Sequence, residues 1–149
     1  MKFKFAFILI SVLCSACTAS QSKKQPAQGL SGTIYLVTGN QMPTIGRPQS
    51  KGRGVARDIH IYQSTSLSQT NGTSPLFTSI KTKLIAQTKS DSTGHYTVKL
   101  PVGKYSVFIK EGEQFFAAES DGTGALNPVE ISLNALAKKD FIINHAAAY

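Results

Sequence analysis

The chain has no tryptophan, and its two cysteines, Cys14 and Cys17, both lie close to its start. If Cys14 leaves with a leader and Cys17 is modified, the folded part carries no thiol. That excludes a disulfide, a thiolate metal site and a cysteine nucleophile, and leaves the core alone to hold the fold. Acidic residues are also scarce, 8 against 16 basic ones, for a formal net charge of +8. No long basic block and no RNP-like aromatic motif accompanies this excess, so nucleic acid is not an expected partner. Weak attraction to anionic surfaces, or solubility, accounts for it. Convincing helical periodicity is missing as well. "VEISLNALAKKDF" has some spacing at three and four, but its β-branched start and short run favour strand and loop. Neither G-x-S-x-G nor HExxH occurs, and no cofactor is expected.

What is present at the start is an export pattern. Lys2 and Lys4 form a positive region, and Phe5 to Leu13 form an apolar run too short to span a bilayer comfortably. Ser15 and Ala16 then precede Cys17. Small side chains before a cysteine, directly after such a run, resemble the bacterial lipoprotein box. The resemblance implies cleavage before Cys17 and a diacylglycerol on its thiol; Cys14 stands where that pattern usually has Leu. Thr18 rather than Asp follows, which under the usual sorting logic implies the outer membrane. The expected organisation is a signal peptide over 1–16, a lipidated Cys17 with a flexible tether over 17–28, and one folded domain over 29–149. Lys23 and Lys24 in the tether read as solvated linker residues, with anionic head groups as the alternative contact.

Alternation of apolar and polar residues dominates the rest and predicts an all-β domain. Strands are expected at 31–39, 56–63, 79–89, 95–100, 104–110, 113–119, 127–133 and 138–144. In 56–63, Ile59 and Ile61 face one way and His60 and Tyr62 the other. Residues 65–76 read as a polar loop with a turn at Asn71-Gly72. In "KSDSTGHYTVKLPVGKYSVFIKE" (89–111), Asp91 accepts turn N–H groups and Gly94 supplies a positive φ. Pro101 stops a strand and Gly103 lets the chain reverse. Antiparallel return then predicts cross-strand pairing of Tyr96, Val98 and Leu100 with Tyr105, Val107 and Ile109.

The order Asp-x-x-Gly-x-Tyr followed by Leu-Pro-x-Gly-x-Tyr resembles the carboxypeptidase regulatory-like domain. "GNQMP", "RDIHIY", "LPVGKYSVFIKEGEQFFA", "DGTGALNPVEI" and "INHAAAY" are similar to a branch of small Bacteroidetes-type exported lipoproteins. The resemblance implies a transthyretin-like (prealbumin-like) Greek-key β-sandwich of about seven to eight strands.

Three kinds of site are then open. Asp91, Glu119 and Asp121 are oxygen ligands in turns and weak candidates for calcium; the plainer reading is two tight turns, each capped by its Asp. The transthyretin fold hosts a hydroxyisourate hydrolase that uses His and Arg residues and a Tyr-Arg-Gly-Ser tail. This chain ends "HAAAY", and its Arg57, His60 and His145 have no spacing that joins them. No catalytic residue is therefore assigned. The loop 38–58 holds Arg47, Lys51, Arg53 and Arg57 and is a candidate partner-binding loop for carboxylates or phosphates. The expectation is a non-catalytic, membrane-anchored binding or accessory module for an envelope protein or polysaccharide. A small hydrolase or a calcium-stabilised adhesion module is the alternative.

Overall fold

The computed structural model describes residues 27–42, 46 and 50–148. The readings on Cys17, Arg47 and the leader lie outside the described residues. The strands are β1 (Gly29–Leu36), β2 (Gly39–Asn40), β3 (Arg53–Gly54), β4 (Asp58–Gln63), β5 (Thr70–Thr73), β6 (Leu76–Ile80) and β7 (Leu84–Lys89). They continue with β8 (His95–Lys99), β9 (Gly103–Glu111), β10 (Gln114–Phe116), β11 (Pro128–Ile131), β12 (Leu136–Lys138), β13 (Phe141–Ile143) and β14 (Ala147–Ala148). One 3-10 turn spans Leu67–Gln69.

Two sheets face each other as a β-sandwich. In the smaller, β1 is central. Antiparallel β8 and β3 flank one side, and parallel β12 and β13 flank the other. In the larger, the order is β5-β6-β10-β9-β4-β7, with β11 beside the first half of β9. Alternation explains the layering. Leu30 and Ile34 from β1, Ile59 and Ile61 from β4, Tyr105, Val107 and Ile109 from β9, and Phe141 and Ile143 from β13 meet in one buried cluster. Each fully buried chain of this size contributes roughly 1.5–3 kcal/mol. His60 and Tyr62 do take the opposite face, against Phe108 and Phe115. There Tyr62, Phe77, Phe108, Ala117 and Leu126 form a second, smaller cluster on the outer side of the larger sheet.

Three expectations are corrected. First, β8 and β9 are not a hairpin. β8 pairs with β1 in one sheet, whereas β9 pairs with β4, β10 and β11 in the other. Tyr96 and Leu100 do meet Tyr105, Val107 and Ile109, but across the sandwich core rather than along a ladder. A Pro-Val-Gly corner reverses the chain equally well in either geometry. Second, residues 65–76 are not merely a loop. They hold the 3-10 turn and β5, which pairs with β6. Asn71-Gly72 is a register irregularity inside that pair, not its turn, and the reversal falls at Ser74-Pro75. Third, 79–89 is divided between β6 and β7 by residues 81–83, and the extra short strands raise the count above seven or eight.

The turn between β7 and β8 also crosses between sheets. Asp91 Oδ1 accepts from Thr93 N–H at 2.8 Å, Thr93 Oγ1 at 2.6 Å and His95 N–H at 3.0 Å. Gly94 sits at φ +88°, with the space at its α-carbon closed by Ile34 O. A methyl at Gly54 would come within 1.8 Å of Thr93 O, so β3 and this turn touch backbone to backbone.

Candidate functional site

A groove of about 350 Å³ opens on the outer face of the smaller sheet. It is built by parity. Leu30 and Ile34 point into the core, so Ser31 and Thr33 between them point out; Tyr96 points in, so His95 and Thr97 point out. Register places Ser31 beside both Thr97 and Lys138, and Thr33 beside His95. The strand on the far side breaks after β12, and the break shapes the groove. Asp140 Oδ1 takes the Thr33 N–H at 2.8 Å, standing in for a ladder carbonyl, while Lys139 N–H donates to Ser31 O at 2.9 Å.

The polar groups of the groove are held in place. Tyr96 donates its phenol O–H to Lys139 O at 2.6 Å. Burial, with the Asp140 carboxylate adding to it, pushes the Tyr96 phenol well above its ordinary range, so it stays a proton donor. His95 Nδ1 lies 2.9 Å from Thr93 Oγ1, which couples the imidazole to the Asp91 turn. Lys139 is paired with Glu119, whereas Lys138 is exposed on the groove wall. The result is a surface of three aliphatic hydroxyls and the Tyr96 phenol, an imidazole, the Lys138 and Lys139 ammonium groups and a carboxylate. Such a set donates and accepts hydrogen bonds along its length and suits a polar, hydroxyl-bearing ligand.

A second cluster closes one end of the core. Glu111, at the end of β9, takes Arg57 Nε on Oε1 and faces His145 Nε2 at 3.2 Å on Oε2. The Glu111 side chain is 13% exposed, and the imidazole lies 5.8 Å from the Phe116 ring. The structure thus joins Arg57 and His145, which the sequence leaves apart, through an acid that sequence reasoning passed over. A signal existed. Arg57 continues the inward parity of Ile59 and Ile61, Glu111 that of Val107 and Ile109, and His145 that of Phe141 and Ile143. Three polar side chains at the ends of three core-facing series are placed to meet at the rim of the sandwich. None of the three lines the groove.

The remaining candidates go elsewhere. His60 stands on the outer face of the larger sheet beside Tyr62, Phe115 and Gln87. Burial, with the Lys110 ammonium adding to it, holds its imidazole below the ordinary value. In the loop 38–58, Lys51 and Arg53 are exposed, with Arg53 pairing Leu36 through its backbone, while Arg57 is taken up by Glu111. Asp121 repeats the Asp91 turn: its Oδ1 accepts from Thr123 N–H, Thr123 Oγ1 and Ala125 N–H at 2.9, 2.7 and 3.0 Å. In both turns the hydrogen bonds favour the ionised carboxylate and lower its pKa. Glu119 is paired with Lys139. Among the described residues no three His, Cys, Asp or Glu side chains converge on a common point. The described residues also contain no helix long and apolar enough to cross a membrane. No family model, curated protein or solved structure matches the chain.

Proposed function

We propose that this chain is a lipid-anchored module of the bacterial envelope that binds a polysaccharide without catalysis, with a transthyretin-like, carboxypeptidase regulatory-like domain carried on Cys17. The observation that carries the binding reading is the groove of Ser31, Thr33, His95, Thr97, Lys138 and Asp140. Its hydroxyls and carboxylate match the paired donors and acceptors of a sugar ring, and Lys138 suits an acidic substituent on the polymer. Small residues before Cys17, after a positive start and an apolar run, support the anchor.

Binding is preferred to hydrolysis because the His–Arg–acid cluster of Arg57, Glu111 and His145 is taken up by internal pairing and lies outside the groove. It is preferred to calcium-dependent adhesion because Asp91 and Asp121 each direct one oxygen at their own turn. The test is affinity electrophoresis of the full chain through gels containing polysaccharide extracted from the producing cells' envelope. Retardation is expected for the wild type, and loss of it for the His95→Ala/Lys138→Ala double variant at an unchanged melting temperature. Equal migration of both proteins, with or without the polymer, overturns the proposal.

A further inference from the structure

The end of the sandwich where β1 begins has properties that the groove does not use. Gln28, the last residue before β1, is clamped there. Its Nε2 donates to Leu100 O at 2.9 Å, and its Oε1 accepts from Asn134 N–H at 3.0 Å. These two bonds tie together the corner before β9 and the turn after β11, which register already sets side by side through Ile131 and Gly103. Each of the two turns holds up one bare apolar side chain: Val102 is 55% and Leu133 72% exposed. Met42 and Leu67 are exposed to a similar degree elsewhere; Val102 and Leu133 differ in standing on turns that register sets side by side.

The charge around these tips has one dominant sign. Lys99 stands opposite Gly29, and Lys104, the second residue of β9, stands opposite Glu130. Lys83, whose carbonyl accepts the Gln63 N–H, lies at the same end of the neighbouring strands. Lys83, Lys99 and Lys104 thus stand at this end, with the Glu130 carboxylate opposite Lys104. Two further lysines, Lys23 and Lys24, precede Gln28 in the sequence.

We propose that this end, with Val102 and Leu133 as its tips, docks on an anionic bilayer. The proposal rests on the reading that Cys17 carries a lipid. Ten residues separate Cys17 from the clamped Gln28, and the eleven Cα–Cα steps span at most about 40 Å of extended chain. The described chain enters the fold at this end, so a lipid at Cys17 tethers the domain by this end and not by the one bearing Glu111 and His145. The diacylglycerol supplies attachment by itself, and a basic, apolar-tipped surface adds a second contact that orients the domain on the bilayer. The side chains of Val102 and Leu133 enter the head-group boundary while the lysines meet lipid phosphates. The groove, on the flank of the smaller sheet, stays open to solvent.

The experiment uses the full chain, lipidated in cells and reconstituted into vesicles of phosphatidylethanolamine and phosphatidylglycerol. Val102→Cys and Leu133→Cys carry an environment-sensitive fluorophore, and Ser92→Cys in the turn at the other end is the control. Docking predicts a blue shift at 102 and 133, quenching there by nitroxide-bearing lipid, and a water-like spectrum at 92. All three variants sit on exposed turns, and a melting curve of each checks that it folds. Water-like emission at 102 and 133 in protein that remains membrane-bound overturns docking and leaves the anchor standing. Shielding from aqueous iodide without quenching by the nitroxide lipid identifies a protein occupant and also overturns it. Cys17→Ala in the same vesicles separates the two ideas. Undiminished membrane attachment, with 102 and 133 still quenched by lipid, removes the anchor and keeps the docking surface.

Discussion

Asp91 and Asp121 occupy the same position in two separate turns. Each carboxylate oxygen accepts from the N–H and the hydroxyl of the threonine two residues on, and from the N–H four residues on. Each turn closes on a glycine at positive φ, Gly94 at +88° and Gly124 at +83°. The matching words Asp-Ser-Thr-Gly and Asp-Gly-Thr-Gly are therefore one structural device used twice.

From this device comes the first prediction. Asp91→Ala and Asp121→Ala each lower the melting temperature, with Asp91→Ala the larger, because its turn packs on Gly54 and carries the chain between sheets. Both carboxyl groups have pKa values lowered from 3.8 by hydrogen bonds to their threonines above all. A lowered folded pKa means stability that is complete above the unfolded value and is lost as pH falls through the folded one. Melting temperature measured from pH 5 down to pH 2 should fall in the wild type and fall less steeply in the Asp91→Ala/Asp121→Ala variant. Parallel curves would remove the two turns from the acid response.

Phe77 supplies the second prediction. It is fully buried on the outer face of the larger sheet, edge-on to Phe108, and it belongs to the β5–β6 pair. Phe77→Ala should cost about 3–5 kcal/mol, the usual loss for a large buried aromatic. Urea unfolding followed by both circular dichroism and tyrosine fluorescence should keep a single coincident transition. A loss under about 1 kcal/mol would mean that the pair is a peripheral flap and no part of the cooperative body.

Glu111 gives the third. Arg57 and His145 both meet its carboxylate, and the ion pair with Arg57 is intermediate in exposure, at 30% and 13% for the two side chains. Exposed pairs contribute under about 1 kcal/mol and breaking buried ones costs about 3–5 kcal/mol, so Glu111→Gln should cost about 1–3 kcal/mol. The loss should appear as well in faster amide exchange of Ala147, whose short strand follows His145 and pairs with β2. Glu111→Gln with unchanged stability and exchange would make the cluster an incidental surface contact.

Period-two alternation in 56–63, 95–100 and 104–110 carried the class of the fold and the faces of its strands. It was enough because Ile59 and Ile61 are buried for the same local reason that His60 is not. Partner choice was not legible. Tyr96 and Tyr105 present core faces whether their strands pair in one sheet or oppose across two, and nothing in Pro101-Val102-Gly103 distinguishes the cases. The β5–β6 pair was hidden because Thr70–Thr73 lacks apolar alternation and is held by backbone bonds to β6. The groove was hidden for another reason. Ser31, Thr33 and Thr97 are ordinary outward strand residues, and only the register of β1 with β8 and β12 brings them beside Lys138 and Asp140. The Glu111 cluster was legible in principle, since parity alone places Arg57, Glu111 and His145 at the core's rim.

Tyr96 gives the last prediction, and it joins the core to the groove. Its ring is buried among core residues near Phe141, and its hydroxyl holds Lys139 O at the groove edge. Tyr96→Phe keeps the ring and removes the bond, leaving a carbonyl short of its donor, for a loss of about 1–2 kcal/mol. The alkaline response carries the sharper signature. Burial raises the phenol pKa of Tyr96, and to a lesser degree that of Tyr62, above 10.0. With the folded pKa raised, the unfolded chain releases its proton first, so this contribution is complete below about pH 10 and declines as pH rises beyond it. Stability measured from pH 8 to pH 11.5 should therefore drop more steeply in the wild type than in Tyr96→Phe. The absorbance titration at 295 nm should show Tyr96 ionising only as the protein unfolds. A Tyr96 that ionises near pH 10 in the folded protein, with identical alkaline slopes for the two proteins, would mean that the phenol is hydrated and that Lys139 is positioned by something else.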